Sequence, residues 1–327
     1  MKLIFLIFRS RYRYKDLGNF LHSKIYKNFI LINLSGFLSI FGRILIYIKV
    51  GRGISLDGDP IISDKLSGIN IWFGGSSFKI PRQFKNLDNN YVNMKNIFFP
   101  KDNLFRFFPI NIKKFEINEN LKIIFVSKVN IDLNYKEKNI WQKYKKKILN
   151  NFLLIDSLKF WKQNEFIQLD REKKFLLYRK FKNLIKYEAI KFLKKKFDKK
   201  LIIIGSDWRK YNIQSFLNNY DKNQIKNMYN GNICIDFGST SGSVSLYARS
   251  IQILESGGLL LQAKQKDSNL IWSSKENKIL FKSINDVYKN IIFFMQNERQ
   301  IINMASQIAE KFKNPNRIDI NLRNIFN

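Results

Sequence analysis

Residues 229–262 read YNGNICIDFGSTSGSVSLYARSIQILESGGLLLQ. An apolar run, Ile233 to Phe237, enters a loop of glycine, serine and threonine. The chain then places apolar residues at helical spacing, stops at Gly257-Gly258 and restarts as the apolar run Leu259 to Leu261. This order predicts strand, small-residue loop, helix, glycine stop and strand. Two strands joined through a helix are half of a parallel α/β layer, so the chain around them must be of the α/β class.

The polar residues of that stretch follow a pattern of their own. Ser245, Arg249, Gln252 and Ser256 are spaced by four, three and four, which at helical pitch makes a single stripe. The stripe begins at the expected helix N-terminus, where free backbone N–H groups and the positive end of the helix dipole favour a phosphate. An arginine one turn in adds a bidentate, charge-assisted contact to the same anion. Backbone N–H groups of Ser239, Thr240, Ser241, Gly242 and Ser243, with Arg249, would then form a diphosphate site. The other reading of the same residues is an Arg249 paired with a neighbouring acid beside a serine-rich turn.

Arg249-Ser250, six residues, Gly257-Gly258, then Leu259 to Leu261 and the later ILFKSINDVYKNIIFFMQNERQIINMASQIAEKF (279–312) form a longer pattern. It resembles the C-terminal part of GT-B glycosyltransferases, in particular those with a CgeB-like (spore-maturation-protein-like) C-terminal domain. The resemblance covers residues 229 to 315 and is specific at Arg249, Gly257 and Gly258. It implies two Rossmann-like domains facing a cleft, with these residues in the half that binds the nucleotide-sugar donor. The family's helix carries a glutamate for the ribose hydroxyls where this chain has Gln252. Gln252 accepts one hydrogen bond and donates another but cannot accept from two hydroxyls as a carboxylate does. Glu255 takes the family's small-residue position, off the stripe, as a second candidate for the nucleotide.

Length and composition are consistent with that architecture. A chain of 327 residues, 45% hydrophobic, buries a full core and most simply makes two domains. Its charge of +32 invites acidic partners: nucleotide diphosphates, lipid-linked acceptors, anionic head groups or nucleic acid. The excess is mostly lysine and travels with abundant Asn, Ile and Phe, a combination that A/T-rich codons produce. The single cysteine, Cys234, lies inside an apolar strand and excludes an internal disulfide framework, which suits a reducing compartment. One cysteine and one histidine, His22, also leave no Cys/His set for zinc. The opening MKLIFLIF runs into RSRYRYK without a small-residue cleavage site and reads as a buried strand rather than a leader. The expected location is the cytoplasm, with peripheral contact at the inner face of the membrane.

Along the chain, residues 1–118 form the expected acceptor-side domain, with strands at Lys2 to Phe8 and Ile69 to Phe73 and one or two helices within Phe20 to Val50. In GT-B enzymes that domain supplies the base that takes the acceptor's proton. The candidates are His22 and the acids of GISLDGDP, Asp57 and Asp59; the alternatives are a packing histidine and turn-shaping aspartates. The segment IWFGGSSFK ends a strand in Gly74 to Ser77, a cleft-facing loop or simply a tight turn. Residues 119–327 form the expected donor domain. Leu121 to Val126 reads as its first strand, with Lys128 beyond it. Helices cover Lys136 to Lys200, packed on a sheet or, at Lys194 to Lys196, facing lipid. Leu201 to Ile204 is a further strand; its end, Gly205-Ser206 with Trp208 nearby, matches a loop that in the family lines the donor site. Lys222 to Tyr229 is a short helix, Ser283 and Asp286 form a capping box, and two helices close the chain.

The leading expectation is a glycosyltransferase moving a sugar from a nucleotide donor to a glycan or lipid-linked acceptor. It uses the nucleotide-diphosphate sugar as co-substrate and needs no other cofactor. Fixed donors stabilise the departing diphosphate; Asp57 and Asp59 have the Asp-x-Asp spacing of a metal site but are expected in a turn after GRG with no apolar strand before them, which disfavours a metal-dependent reading. Two alternatives remain: a degenerate, binding-only protein of the same architecture, motivated by Gln252, and a basic nucleic-acid-binding protein, which the strand-loop-helix order leaves unexplained.

Overall fold

The computed structural model describes residues 2–8, 24–26, 29–35, 37–48, 50–56, 68–71, 112–216, 221–238, 240, 245, 248–266 and 268–313. The chain divides into two compact units, one of Met1–Asn111 with Glu310–Asn327, the other of Ile112–Ala309.

In the first unit, β1 (Lys2–Phe8) lies at the centre of a five-stranded sheet. β2 (Lys24–Tyr26), β3 (Phe29–Ser35), β4 (Arg52–Leu56) and β5 (Gly68–Ile71) complete it in the order β2-β3-β1-β4-β5. All pairings are parallel except that of β2 with β3. Phe5 is buried there among Leu3, Ile32, Leu34 and Leu45, the last from helix α1 (Leu38–Tyr47). Phe20 to Val50 holds a helix as expected, α1, and in addition two strands that were not expected, β2 and β3. Its middle, FILINLS, alternates β-branched Ile30 and Ile32 with other residues and pairs along β1 over seven positions, and only one helix follows.

The second unit carries a fully parallel five-stranded sheet. Its strands are β6 (Ile123–Val126), β7 (Leu201–Ile204), β8 (Ile233–Asp236), β9 (Leu259–Ala263) and β10 (Leu280–Phe281). The order is β10-β9-β8-β6-β7, with Ile123 opposite both Leu201 and Ile233. Sequences such as IIFV and LLLQA suit this layer because parallel strands are covered on both faces, and β6, β8 and β9 are buried at every position. The cover comes from α2 (Tyr135–Asn150), α3 (Arg171–Phe197), α4 (Lys222–Tyr229), α5 (Ala248–Glu255), α6 (Ile284–Gln296) and α7 (Glu298–Lys313). α6 packs on α2 and α3, whereas α4 packs on α5, which lies on β8 and β9.

Helix starts follow side-chain chemistry. Asn134 and Glu137 make a reciprocal capping box on α2, Asp170 caps α3 and Ser283 caps α6. Glu137 also receives Lys180 at 2.6 Å, and Glu188 receives Lys145 at 2.5 Å, tying α2 to α3. Between and beneath these helices Trp141, Tyr144, Phe160, Trp161, Phe166 and Phe181 pack as one aromatic group, with centroids such as those of Phe160 and Phe166 4.9 Å apart. Among the described residues no helix is long and apolar enough to cross a membrane.

The α5–β9 turn depends on its glycines. Gly257 has φ +76°, a conformation open to glycine, and its N–H closes the helix on the carbonyl of Leu254. A Cβ at Gly258 would stand 2.8 Å from the Tyr229 carbonyl oxygen at the end of α4 and 2.9 Å from Cys234 Sγ in β8. Gly258→Ala is therefore expected to lower unfolding stability by about 1–3 kcal/mol, read as a reduced midpoint in urea at unchanged slope.

Candidate functional site

In the second unit the chain passes from β6 outward to β7 and then returns to the other side of β6 as β8. The connections after β6 and β8 therefore diverge, and in open α/β sheets the carboxyl ends of two such strands are where ligands bind. The side chains around that edge are polar, in contrast to the sheet beneath them.

Three segments meet there. After β6, Ser127 is buried, and its carbonyl accepts the indole N–H of Trp208 at 2.7 Å. This bond fastens the turn after β7, in which Gly205 has φ 137° and Asp207 φ 75°. After β8, the carboxylate of Asp236 accepts the Gly238 N–H at 2.9 Å and the Ser250 hydroxyl at 2.5 Å. Ser250 in turn accepts from Gln262 Nε2 at 2.7 Å, and Gln262 Oε1 accepts the Trp272 indole N–H at 3.1 Å. All four groups are buried, and the chain of bonds locks α5 to the ends of β8 and β9. After β9, Gln265 leans against Gly238, where a Cβ would come within 2.8 Å of its Nε2. Ser268 bridges Ser245 at 2.8 Å and the Gln265 N–H at 2.8 Å. The loop between β8 and α5 is thus pinned at both of its ends.

The fourth contributor is α3. It runs down to β7, so Lys186, eleven residues before Phe197, stands about 16 Å above the base of the sheet. A four-residue strand climbs about 13 Å, which puts Lys186 near the carboxyl edge and Lys182, one turn further along, beyond it, where it reaches Gln265 after β9. Both are buried, at 4% and 5% exposure. Lys182 lies 3.6 Å from the fully buried Asp156 and 3.5 Å from Gln265 Oε1, and Asp156 also accepts the Tyr178 hydroxyl at 2.8 Å. Lys186 has no hydrogen bond or ion pair among the described residues. Burial chiefly, then the positive charge of Arg249 and, more weakly, that of Lys182, push its ammonium down to about 7, against the opposing pull of Asp236.

Arg249 completes this cation group. It is half-buried and has neither a hydrogen bond nor an ion pair among the described residues, so within them no acid takes it up. Its position differs from the expected one. α5 starts at Ala248, so Arg249 sits in the first turn itself, and that turn contains no acid. The four-residue polar stripe shortens accordingly. Ser245 precedes the helix, and Ser256 follows it with its hydroxyl on the Gln252 carbonyl at 2.6 Å. Gln252, half-buried, lies on the turn after Arg249.

Other predicted residues scatter. Gly205 and Ser206 lie at the carboxyl end of β7 on the same edge of the sheet, and Ser206 donates to Asp207 at 3.1 Å. Gly257 and Gly258 lie at the opposite end of α5, where they end the helix, and Glu255 is that helix's last residue. Thr240 belongs to the pinned loop; Ser239, Ser241, Gly242 and Ser243 lie outside the described residues, as do His22, Asp57, Asp59 and Gly74 to Ser77. A strand does precede Asp57, contrary to expectation, because RGISL pairs between β1 and β5 as β4 and ends at Leu56. Sequence reasoning missed Lys182, Lys186, Asp156 and Asp236. Lys182 and Lys186 do continue the four-residue spacing from Tyr178 along the buried side of α3, and that was the available signal. Among the described residues no group of three or more His, Cys, Asp or Glu could hold a metal ion.

No family model matches the chain, and neither a curated protein nor a solved structure matches it.

The Lys182–Asp156 pair is buried enough for its loss to be felt. Asp156→Ala strands an ammonium inside the protein and is expected to cost about 3–5 kcal/mol of unfolding stability, measured by urea denaturation.

Proposed function

We propose that the protein is a glycosyltransferase of GT-B architecture. In this reading the unit of residues 112–309 is the Rossmann-like half that takes a nucleotide-sugar donor, and the N-terminal unit is the Rossmann-like half that takes a glycan or lipid-linked acceptor across a cleft. One observation carries the reading: Arg249, without an acid among the described residues, joins two buried lysines at the carboxyl edge of a doubly wound parallel sheet. Phosphates bind at that edge in folds of this kind.

The donor's diphosphate sits against the first turn of α5, on Arg249 and the backbone N–H groups of the loop from Ser239 to Ser243. Gln252, one turn further, faces the ribose, and the loop of Gly205 and Ser206 borders the nucleotide. As the acceptor hydroxyl bonds to the anomeric carbon, the bond from that carbon to the diphosphate oxygen breaks and its electron pair stays with the phosphate. Positive groups already in place stabilise this growing charge with no reorganisation. The acceptor's proton passes to a base of the N-terminal unit, for which His22 and Asp57 are the candidates. The work site is the cytoplasm, at the inner membrane surface where lipid-linked acceptors are presented.

Titration of UDP and GDP into the protein tests this directly. Arg249→Ala is expected to weaken the bound nucleotide tenfold or more, the loss of a charged hydrogen bond being about 1.5–3 kcal/mol. Unfolding stability should change by less than about 0.5 kcal/mol, since the side chain has no hydrogen bond or ion pair to lose among the described residues. Unchanged nucleotide affinity would remove the phosphate role, and RNA binding with a steep salt dependence, indifferent to nucleotide, would replace the reading altogether. Gln252→Glu is expected to hold or raise affinity, because the carboxylate accepts from both ribose hydroxyls. Release of free sugar from one of a panel of nucleotide sugars, followed chromatographically, separates an active enzyme from a binding-only relative.

A further inference from the structure

The cations at the carboxyl edge do not balance in an obvious way. Lys182 is matched by Asp156 at 3.6 Å. Asp236 is occupied by the Ser250 hydroxyl and the Gly238 N–H and makes no ion pair among the described residues. Arg249 and Lys186 both remain, and Lys186 is 4% exposed. Lys182 and Arg249 already stand with Asp156 and Asp236, and the exposed Lys266 acts on Asp156 as well. Protonation of Lys186 adds a further positive charge in a place where water cannot dilute it. The groups that act on Lys186 come from each surrounding element: Lys182 from its own helix, Arg249 from α5 and Asp236 from the end of β8. Two of the three disfavour its charge.

We propose that Lys186, together with Arg249, is an anion-binding residue of this site, and that a phosphate bound beside both holds Lys186 protonated, with uptake of a proton by whatever fraction of it was neutral beforehand. The ligand class is a terminal phosphate, free or carried by a nucleoside. The proton comes from solvent, no bond to the phosphate forms or breaks, and the ammonium then donates to the phosphate oxygens. The inference deepens the donor reading by naming which protonation state receives the diphosphate. It also explains a lysine that is buried without a hydrogen bond or ion pair among the described residues, an arrangement that costs folding energy unless a ligand uses it.

The sign of the pH dependence follows. A bound anion favours the charged form of Lys186 and raises its affinity for a proton. Below about pH 7, where its ammonium is already charged in the empty protein, affinity is independent of this group. Above pH 7 binding requires proton uptake, so affinity falls by up to about tenfold per pH unit until the bound state also loses the proton. A phosphate whose last proton leaves near pH ~6 is fully ionised across this range and contributes no opposing change.

Calorimetric titration of UDP, GDP and inorganic phosphate at pH 8, each in two buffers of different ionisation enthalpy, reads the proton count directly. The expected result is uptake of roughly 0.5–0.9 proton per ligand bound, with an association constant that declines between pH 7 and 9. Lys186→Met should abolish the uptake and weaken binding tenfold or more. Lys186→Arg, permanently charged, should bind without proton exchange and without the decline. Nucleoside diphosphate that binds the unaltered protein with no proton exchange overturns the role of Lys186 and leaves the donor reading standing. Inorganic phosphate that binds with uptake while neither UDP nor GDP binds overturns the donor reading and leaves Lys186 standing. Binding of none of the three overturns both.

Discussion

The pairing of β6 with β8 is the constraint from which the rest of the second unit follows. Ile123 and Phe125 align with Ile233 and Ile235, and the side chains of both strands are wholly buried. Such strands are stable only when helices cover both faces, and parallel neighbours can be joined only by long crossovers. α2 and α3 provide one crossover and α5 another. Because the chain leaves β6 in one direction and comes back on its other side, those crossovers part company above β6 and β8. The polar edge exists because two apolar strands pair at the centre of the sheet.

What fills the edge is set by satisfaction of buried polar groups. Asp236 ends β8 inside the protein, and it is tolerable there because Ser250, Gln262 and Trp272 extend its hydrogen bonds into a chain with no loose end. The same chain fixes the first turn of α5 on the sheet. Arg249 therefore stands on a rigid support, one residue before Ser250, although its own side chain bonds to nothing described. A rigid backbone carrying an unoccupied cation is how binding sites differ from packing sites. In the packing interior around Trp161 and Phe181 the polar groups are closed in pairs: Trp161 Nε1 donates to the Ile155 carbonyl at 2.7 Å and Tyr178 to Asp156 at 2.8 Å.

The sheet of the second unit was legible because its signal is composition over a short run. IIFV, LIII and ICID are apolar stretches bounded by Gly, Ser, Asn or Lys, and they fold as strands at those positions. α4, Lys222 to Tyr229, falls where its pattern put it. FILINLS was harder. It too is apolar, but it adjoins LSIFGRILIY, which is a helix, and nothing local divides the two; pairing with β1 does. The start of α5 was misjudged for a different reason. Ser245 has the spacing of a helical residue, yet a hydrogen bond to Ser268, twenty-three residues away, holds it outside the helix. The buried lysines were hidden by abundance. In a chain with 58 Lys and Arg, two lysines at helical spacing attract no notice, and only the fold distinguishes Lys182 and Lys186 from Lys180, which reaches Glu137 at the rim.

The position of Arg249 shows where local preference and the fold disagree. The first turn of a helix presents unpaired N–H groups and the positive end of a dipole, so acids are favoured there and a cation is disfavoured by about 0.3–1 kcal/mol. α2, α3 and α6 obey the rule, with Glu137, Glu172 and Asp286 in their first turns. α5 breaks it, and it breaks it near a second cation, Lys186 of α3, on which Arg249 acts. Adding a neighbouring carboxylate would have been the simplest correction, and the one nearby, Asp236, is turned instead toward Ser250 and Gly238. α4 also opens on a cation, Lys222, without an acid in its first turn, but there Asp221 caps the helix through the Asn223 N–H; at α5 the cation stands near a second one, and no carboxylate among the described residues bonds to either.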